Sequence, residues 1–313
     1  MVCSFESLDA RLLICSTNCT VRVFSRINPQ YHTSFVMSLI IRPATVSDVG
    51  IVVDFVMQLA VYERLEHQVN FQPSQYEDYL FLKKRAPAPE VALAHVSELS
   101  EAIGMALFIN ILPSVIHLED LFVSSAARGR GAGIALLSHL ASLAIERKAT
   151  SLEWACLDWN EPSLAFYRSI GAVPIENRVL YRITGDALSR TMPTASHVEA
   201  IDGSPSVLRL VDGSASLSYT LSFTTFLACP VILIIQMDYT CVESVHVLIS
   251  HLIQMANEND FKRIDIRIDP SSQQEMAEFL VSEMGAFELS GWIAFSLSGE
   301  SLEQLARRRT HRP

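Results

Sequence analysis

The segment Ala126-Ala-Arg-Gly-Arg-Gly-Ala-Gly133 joins an alternating apolar run, His117-Leu-Glu-Asp-Leu-Phe-Val123, to an amphipathic stretch that continues to about Lys148. A strand that ends in a glycine-rich turn and passes straight into a helix aims successive backbone N–H groups at one point, and the helix dipole adds partial positive charge there. The turn Arg128, Gly129, Arg130, Gly131, Ala132, Gly133 is thus a candidate anion cradle in which glycine lets the chain approach closely. Within the strand, alternation is expected to send Glu119 and Asp120 to opposite faces, so at least one carboxylate faces inward or into a cleft.

Upstream, Leu39-Ile-Ile-Arg-Pro reads as a strand, followed by Thr45 and Asp48 as caps and a helix that turns Val52, Val53, Phe55, Val56 and Leu59 inward. A polar, aromatic segment (71–85) leads to the Pro87/Pro89 break, and strand-like runs follow at 91–96, 102–111 and 115–123, separated by loops short enough for antiparallel pairing. Beyond the central helix come a strand at 151–157, a helix at about 161–170 and a closing strand near 179–183. The helix at 161–170 has Asn160 at its entry, Pro162 in its first turn and Tyr167 on its body. The fold class is α/β with a mixed, mostly antiparallel central sheet.

Residues 191–205 are rich in turn formers and read as a linker. After it the order of elements returns without its opening: strands at 206–211, 215–228 and 231–240, a helix at 243–257, a strand at 263–268, a helix at 273–284 and a strand at 291–297. Gly285-Ala286 echoes Gly171-Ala172, and Leu297-Ser-Gly-Glu-Ser-Leu302 echoes Ile183-Thr-Gly-Asp-Ala-Leu188, which points to internal duplication. The expected division is an N-terminal extension (1–36), a first unit (37–190), the linker, a second unit (206–305) and a basic tail (306–313).

A chain of 313 residues exceeds one typical domain. Its net charge of -10 argues against nucleic-acid partners, whose phosphates it repels, and suits a cationic substrate. The six cysteines are scattered and the nine histidines form no ligand-like cluster, so neither a disulfide framework nor a metal site is expected. The apolar run 226–235 is interrupted by Pro230 and falls short of the ~20 residues that cross a bilayer. A cytoplasmic protein without membrane contact is expected. Residues 1–36 show no defensible periodicity; Arg11, Arg22 and Arg26 hint at a targeting segment, Glu6 and Asp9 speak against one, and an untargeted extension or a start at Met37 is the expected reading.

Five segments in order, Ile41-Arg-Pro-Ala-Thr45, Leu59-Ala-Val-Tyr-Glu-Arg-Leu-Glu-His-Gln-Val69, Leu118-Glu-Asp-Leu-Phe-Val123, the turn at 128–133 and Asp158-Trp-Asn-Glu-Pro-Ser-Leu-Ala-Phe-Tyr167, resemble the GNAT superfamily of N-acetyltransferases. Within it they resemble the diamine (spermidine/spermine) and thialysine acetyltransferases, across about residues 39–190. The resemblance implies the GNAT fold, acetyl-coenzyme A as acetyl donor and a small primary amine as acceptor, with no metal. It implies that the turn 128–133 and Ile134 hold the pyrophosphate, that Asn160 and Ser163 meet the coenzyme arm, and that backbone near Phe122 and Val123 steadies the oxyanion. Tyr167 would protonate the departing thiolate, and Glu119, with Asp120 in reserve, would take the proton of the attacking ammonium. Tyr62, Glu63 and Glu66 would help build the acceptor site.

The loop at 110–117 is shorter than in the polyamine enzymes and lacks their acidic and tryptophan positions, so amino-acid amines and protein lysines stay open as acceptors. The second unit has Gln236 or its neighbours where the acids would fall, no glycine at 241–244 and no tyrosine at 273–284, and is expected to be a degenerate, non-catalytic copy. Either a homodimer or an intramolecular pseudo-dimer of the two units follows. The competing reading from another class is a non-catalytic module that senses acyl-coenzyme A.

Overall fold

The computed structural model describes residues 12–15, 19–23, 37–81, 88–96, 101–111, 114–190, 198–202 and 206–308. The first half opens with β1 (Leu12–Cys15), β2 (Cys19–Val23) and β3 (Met37–Pro43), then α1 (Val49–Glu63) and α2 (Pro73–Leu80). A meander follows, β4 (Glu90–Val96), β5 (Ala102–Ile111) and β6 (Val115–Val123), and leads through the glycine turn into α3 (Ala132–Glu146). It closes with β7 (Ser151–Leu157), α4 (Glu161–Ser169), β8 (Val173–Pro174) and β9 (Val179–Thr184). The second half runs β10 (Val198–Ile201), β11 (Ser206–Leu210), β12 (Ala215–Thr224), β13 (Cys229–Tyr239), α5 (Val242–Glu258), β14 (Arg263–Ile268), α6 (Gln274–Ser282), β15 (Phe287–Glu288), β16 (Trp292–Ser298) and α7 (Gly299–Arg307).

Three elements depart from the sequence reading. The extension contains β1 and β2, which pair with each other and then with β3 at the sheet edge. The expected linker contains β10, which pairs with β11. The expected basic tail begins inside α7, whose Leu302, Leu305 and Ala306 are buried against α3 in the core. Apolar residues at i, i+3 and i+4 are the signal for that last helix.

Two mixed sheets result, β1-β2-β3-β4-β5-β6-β7-β16-β8 and β10-β11-β12-β13-β14-β9-β15, in which β6/β7 and β13/β14 are the parallel pairs. The halves exchange closing strands. β9 inserts between β14 and β15 of the second half, and β16 inserts between β7 and β8 of the first. β16 is packed into the first half, where Phe295 is fully buried (0%) beside Trp154 and Tyr167. Gly171 shows how closely α7 docks: its φ is +85°, and a Cβ there would lie 2.6 Å from Ser301 Oγ.

Duplication is written into an irregularity. Leu107 pairs with Asp120 while Phe108 pairs with Leu118, so Glu119 is an extra, bulged residue in β6. Ser218 pairs with Gln236 while Tyr219 pairs with Ile234, so Ile235 bulges at the corresponding place in β13. A bulge bends its strand and re-aims side chains, and recurrence at one topological position in both halves is what a duplicated unit produces.

Candidate active site

The β6 bulge reverses the facing of the strand. Before it, Ile116 and Leu118 join the core around α3; after it, Leu121 and Val123 pack on that side while Phe122 turns to the α1 side against Phe55. Strict alternation across Glu119 and Asp120 therefore fails. Both line one cavity of about 1330 Å³, together with Glu63 from the end of α1. Helix α1 stops at Glu63 because Arg64 takes the left-handed conformation, with φ 63°.

These acids press on one another. Burial, then the charge of Glu119, pushes the Glu63 carboxyl up to about 7. Asp120 is buried and held well above the usual carboxylate range by desolvation, then by Glu119 and Glu63, with Thr225 beside it opposing the shift; its Oδ2 has no partner among the described residues. Glu119 lies 3.5 Å from His117 Nε2. Across the cavity, Tyr167 is buried and its phenol is pushed above its ordinary value by desolvation, then by Cys156, Glu63 and Tyr62. The Cys156 thiol is pushed up to about 12 by burial and then Glu63. At neutral pH the Tyr167 hydroxyl is a proton-bearing group and Glu63 is divided between its two forms.

The parallel ladder between β6 and β7 ends at His117 opposite Glu153. Beyond it no further β6–β7 pairing is found among the described residues, so the facing edges of the two strands part. At the mouth stands the glycine turn, with Gly129 at φ 72° and Gly131, the cap of α3, at φ 85°. Only a residue without Cβ takes these angles at little cost. Gly129, Gly131, Ala132, Gly133 and Ile134 line the cavity. Arg128, an exposed residue of the cavity lining, bonds Val123 O through Nε at 3.1 Å and lies 4.8 Å over the Tyr62 ring. The Tyr62 hydroxyl donates to Asn160 Oδ1 at 3.0 Å, and Asn160 is buried at the entry of α4.

Phe122, Val123, Asn160, Ser163 and Tyr167 thus meet Tyr62, Glu63, Glu119 and Asp120 around one space. Two residues named from the sequence do not join them: Glu66 and Arg130 are exposed and outside the cavity lining. Those the sequence reading missed come from the second half and its borders, including Arg178, Arg182, Arg263 and Arg267. The alternation Arg263-Ile-Asp-Ile-Arg267 was a usable signal, since it puts three charges on one face of a strand. Strand exchange, which brings that face to the cavity, has no local signature.

The family model described as Acetyltransferase (GNAT) family matches residues 58–172, which hold the bulge, the glycine turn and Tyr167. The chain carries a GNAT acetyltransferase domain. Among curated proteins it is 26% identical over 164 residues to a thialysine N-epsilon-acetyltransferase of Mus musculus, covering 47% of this chain and 94% of that one. It is 27% identical over 194 residues to an L-ornithine N5-acetyltransferase of Arabidopsis thaliana, covering 47% and 85%. Among solved structures, a GCN5-related N-acetyltransferase from Sphaerobacter thermophilus matches with TM-score 0.53 at 11% identity, over 83% of this chain and 95% of that chain. A putative acetyltransferase from Pyrococcus horikoshii matches with TM-score 0.50 at 13% identity, over 90% and 96%. The fold likeness therefore runs through both halves, as a tandem GNAT arrangement requires.

Proposed function

We propose that the chain transfers an acetyl group from acetyl-coenzyme A to the primary amine of a small molecule, by direct attack within a ternary complex. The observation that carries this reading is the facing of Tyr167 and the Glu63–Glu119–Asp120 acids across one cavity whose mouth is the glycine turn. The residues present fit the donor: the turn and the start of α3 offer N–H groups and positive potential to a pyrophosphate, and the separated edges of β6 and β7 offer an amide-bearing arm a strand-like berth. The small-amine acceptor follows the named activities of the relatives and the acidic wall.

The chemistry follows from these groups. A free alkylammonium has a pKa of roughly 10 and must lose a proton before it attacks. Glu119 takes it directly or through water, and Glu63, half-buried and poised near neutrality, receives it in turn. Nitrogen then bonds to the thioester carbonyl carbon, the carbon–sulfur bond breaks, the Tyr167 hydroxyl gives its proton to the leaving sulfur, and the second proton lost by the attacking nitrogen as it becomes an amide restores the phenol. The second half lacks the glycine turn and has Ile235 and Gln236 at the bulge, so it serves as structural counterpart in an intramolecular pseudo-dimer.

Thiol release from acetyl-coenzyme A, followed against thialysine, ornithine, lysine, spermidine and a lysine peptide, tests the proposal. Saturable turnover with a small amine and none with the peptide is the expected result. No release with any acceptor would overturn it.

A further inference from the structure

The cavity wall next to the acids carries a charge cluster that acetyl transfer itself leaves unused. Arg263, Asp265 and Arg267 alternate along β14, Arg182 stands opposite Asp265 on β9, and Arg178 precedes β9; all line the cavity. Asp265 pairs with Arg182 Nε at 2.9 Å and with an Arg263 terminal nitrogen at 2.9 Å. Glu153 takes Arg178 at 2.7 Å, leaving Arg267 at 3.8 Å, beyond hydrogen-bond distance. Glu288, another acid of this lining, is engaged with the Tyr181 hydroxyl at 3.5 Å.

Two carboxylates thus serve four guanidinium groups, and the arginine side chains on β14 are mostly enclosed, at 14% and 18% exposure. Arg263 also reaches Thr224 Oγ1 at 3.2 Å, yet its Nε is buried and has no acceptor among the described residues. Desolvation is the largest influence on both, pulling their pKa values down. An enclosed guanidinium with open donors is costly unless an anion completes it. The charge of Glu119 is felt at Arg263, so this demand for an anion lies beside the site of amine activation.

We propose that Arg263 and Arg267, backed by Arg178 and Arg182, receive a carboxylate of the acceptor, so that the amine acetylated is the side-chain amine of a diamino acid. The proposal rests on the acetyl-transfer reading above and deepens it. A planar guanidinium fork matches a carboxylate with two parallel hydrogen bonds, whereas a polyamine brings only positive charge to the cluster and is repelled. Because the receptor is assembled from β9 and β14, the second half gains a role in choosing the acceptor despite lacking the phosphate turn.

The test compares kcat/KM for ornithine with that for 1,4-diaminobutane, which is ornithine without its carboxylate, in the wild type and in Arg263→Gln and Arg267→Gln. Wild type is expected to favour ornithine by at least about tenfold, and each variant to lower that ratio by at least about tenfold. Arg178→Gln, on a side chain 33% exposed, is the variant least coupled to folding. A general structural defect lowers both activities and keeps the ratio; a ratio kept in all three variants, or near one in the wild type, overturns the proposal. So does a defect confined to the KM of acetyl-coenzyme A, which would assign the cluster to a donor phosphate. Calorimetric titration of both amines into coenzyme A-saturated protein separates the two readings. No turnover together with Arg263-dependent ornithine binding overturns acetyl transfer and keeps the carboxylate receptor; no ornithine binding overturns the receptor.

Discussion

In the proposed mechanism Glu63 is the acid whose charge changes within the neutral pH range. With its carboxyl raised to about 7, kcat/KM is expected to climb with pH through about 7 as the proton leaves, and Glu63→Gln is expected to remove that limb while lowering the plateau by roughly 10²-fold. Stability moves the other way. The folded pKa lies above the ordinary carboxylate value of 4.5, so the contribution of Glu63 is complete below that value and lost as pH rises through about 7. Melting curves should therefore show Glu63→Gln gaining on wild type as pH rises from about 5 to about 8. A pH-independent difference would contradict the assignment. At this scale much of the site was legible, because Tyr167, Asn160 and the acids sit in motifs contiguous in sequence. The distinction between Glu63 and Glu119 was not, because it depends on burial.

Among the elements, the bulge at Glu119 and the turn at 128–133 do most to shape the cavity. Alternation alone misplaced Asp120 relative to Glu119, since a period of two cannot register an inserted residue. The glycine turn was readable because only glycine tolerates its angles. At Gly131, with φ 85°, substitution by Ala should cost about 1–2 kcal/mol of stability and raise the KM for acetyl-coenzyme A more than the KM for the amine. Steady-state kinetics with each substrate varied in turn checks this; an effect on the amine alone would move the donor site elsewhere. The second strand–bulge–helix unit keeps the geometry without the glycines, which is why it reads as kin in outline and as degenerate in detail.

Across the whole molecule, the exchanged strands make the halves interdependent. The order of elements in each half was visible in hydrophobic periodicity, but a strand's partner is fixed by long-range packing, and the units drawn at 37–190 and 206–305 are crossed by β9 and β16. Without the second half, β7 keeps β6 but loses β16, and the first core loses Phe295, Leu297, Leu302 and Leu305. A fragment ending at residue 190 is expected to aggregate or to dimerise through the exposed β7 edge, as sedimentation would show. Phe295→Ala, at a fully buried ring against Trp154 and Tyr167, should cost about 3–5 kcal/mol in chemical denaturation of the full chain. A monomeric, folded fragment would contradict the interdependence.

The most direct test of the account is single-turnover acetyl transfer by Tyr167→Phe, which removes one oxygen from a buried ring and keeps its packing on Trp154 and Phe295. The account predicts that the transfer rate falls by roughly 10²-fold or more while acetyl-coenzyme A still binds as in the wild type. Transfer at the wild-type rate in that variant would show that the Tyr167 hydroxyl gives no proton to the leaving sulfur, and would contradict the account at its centre.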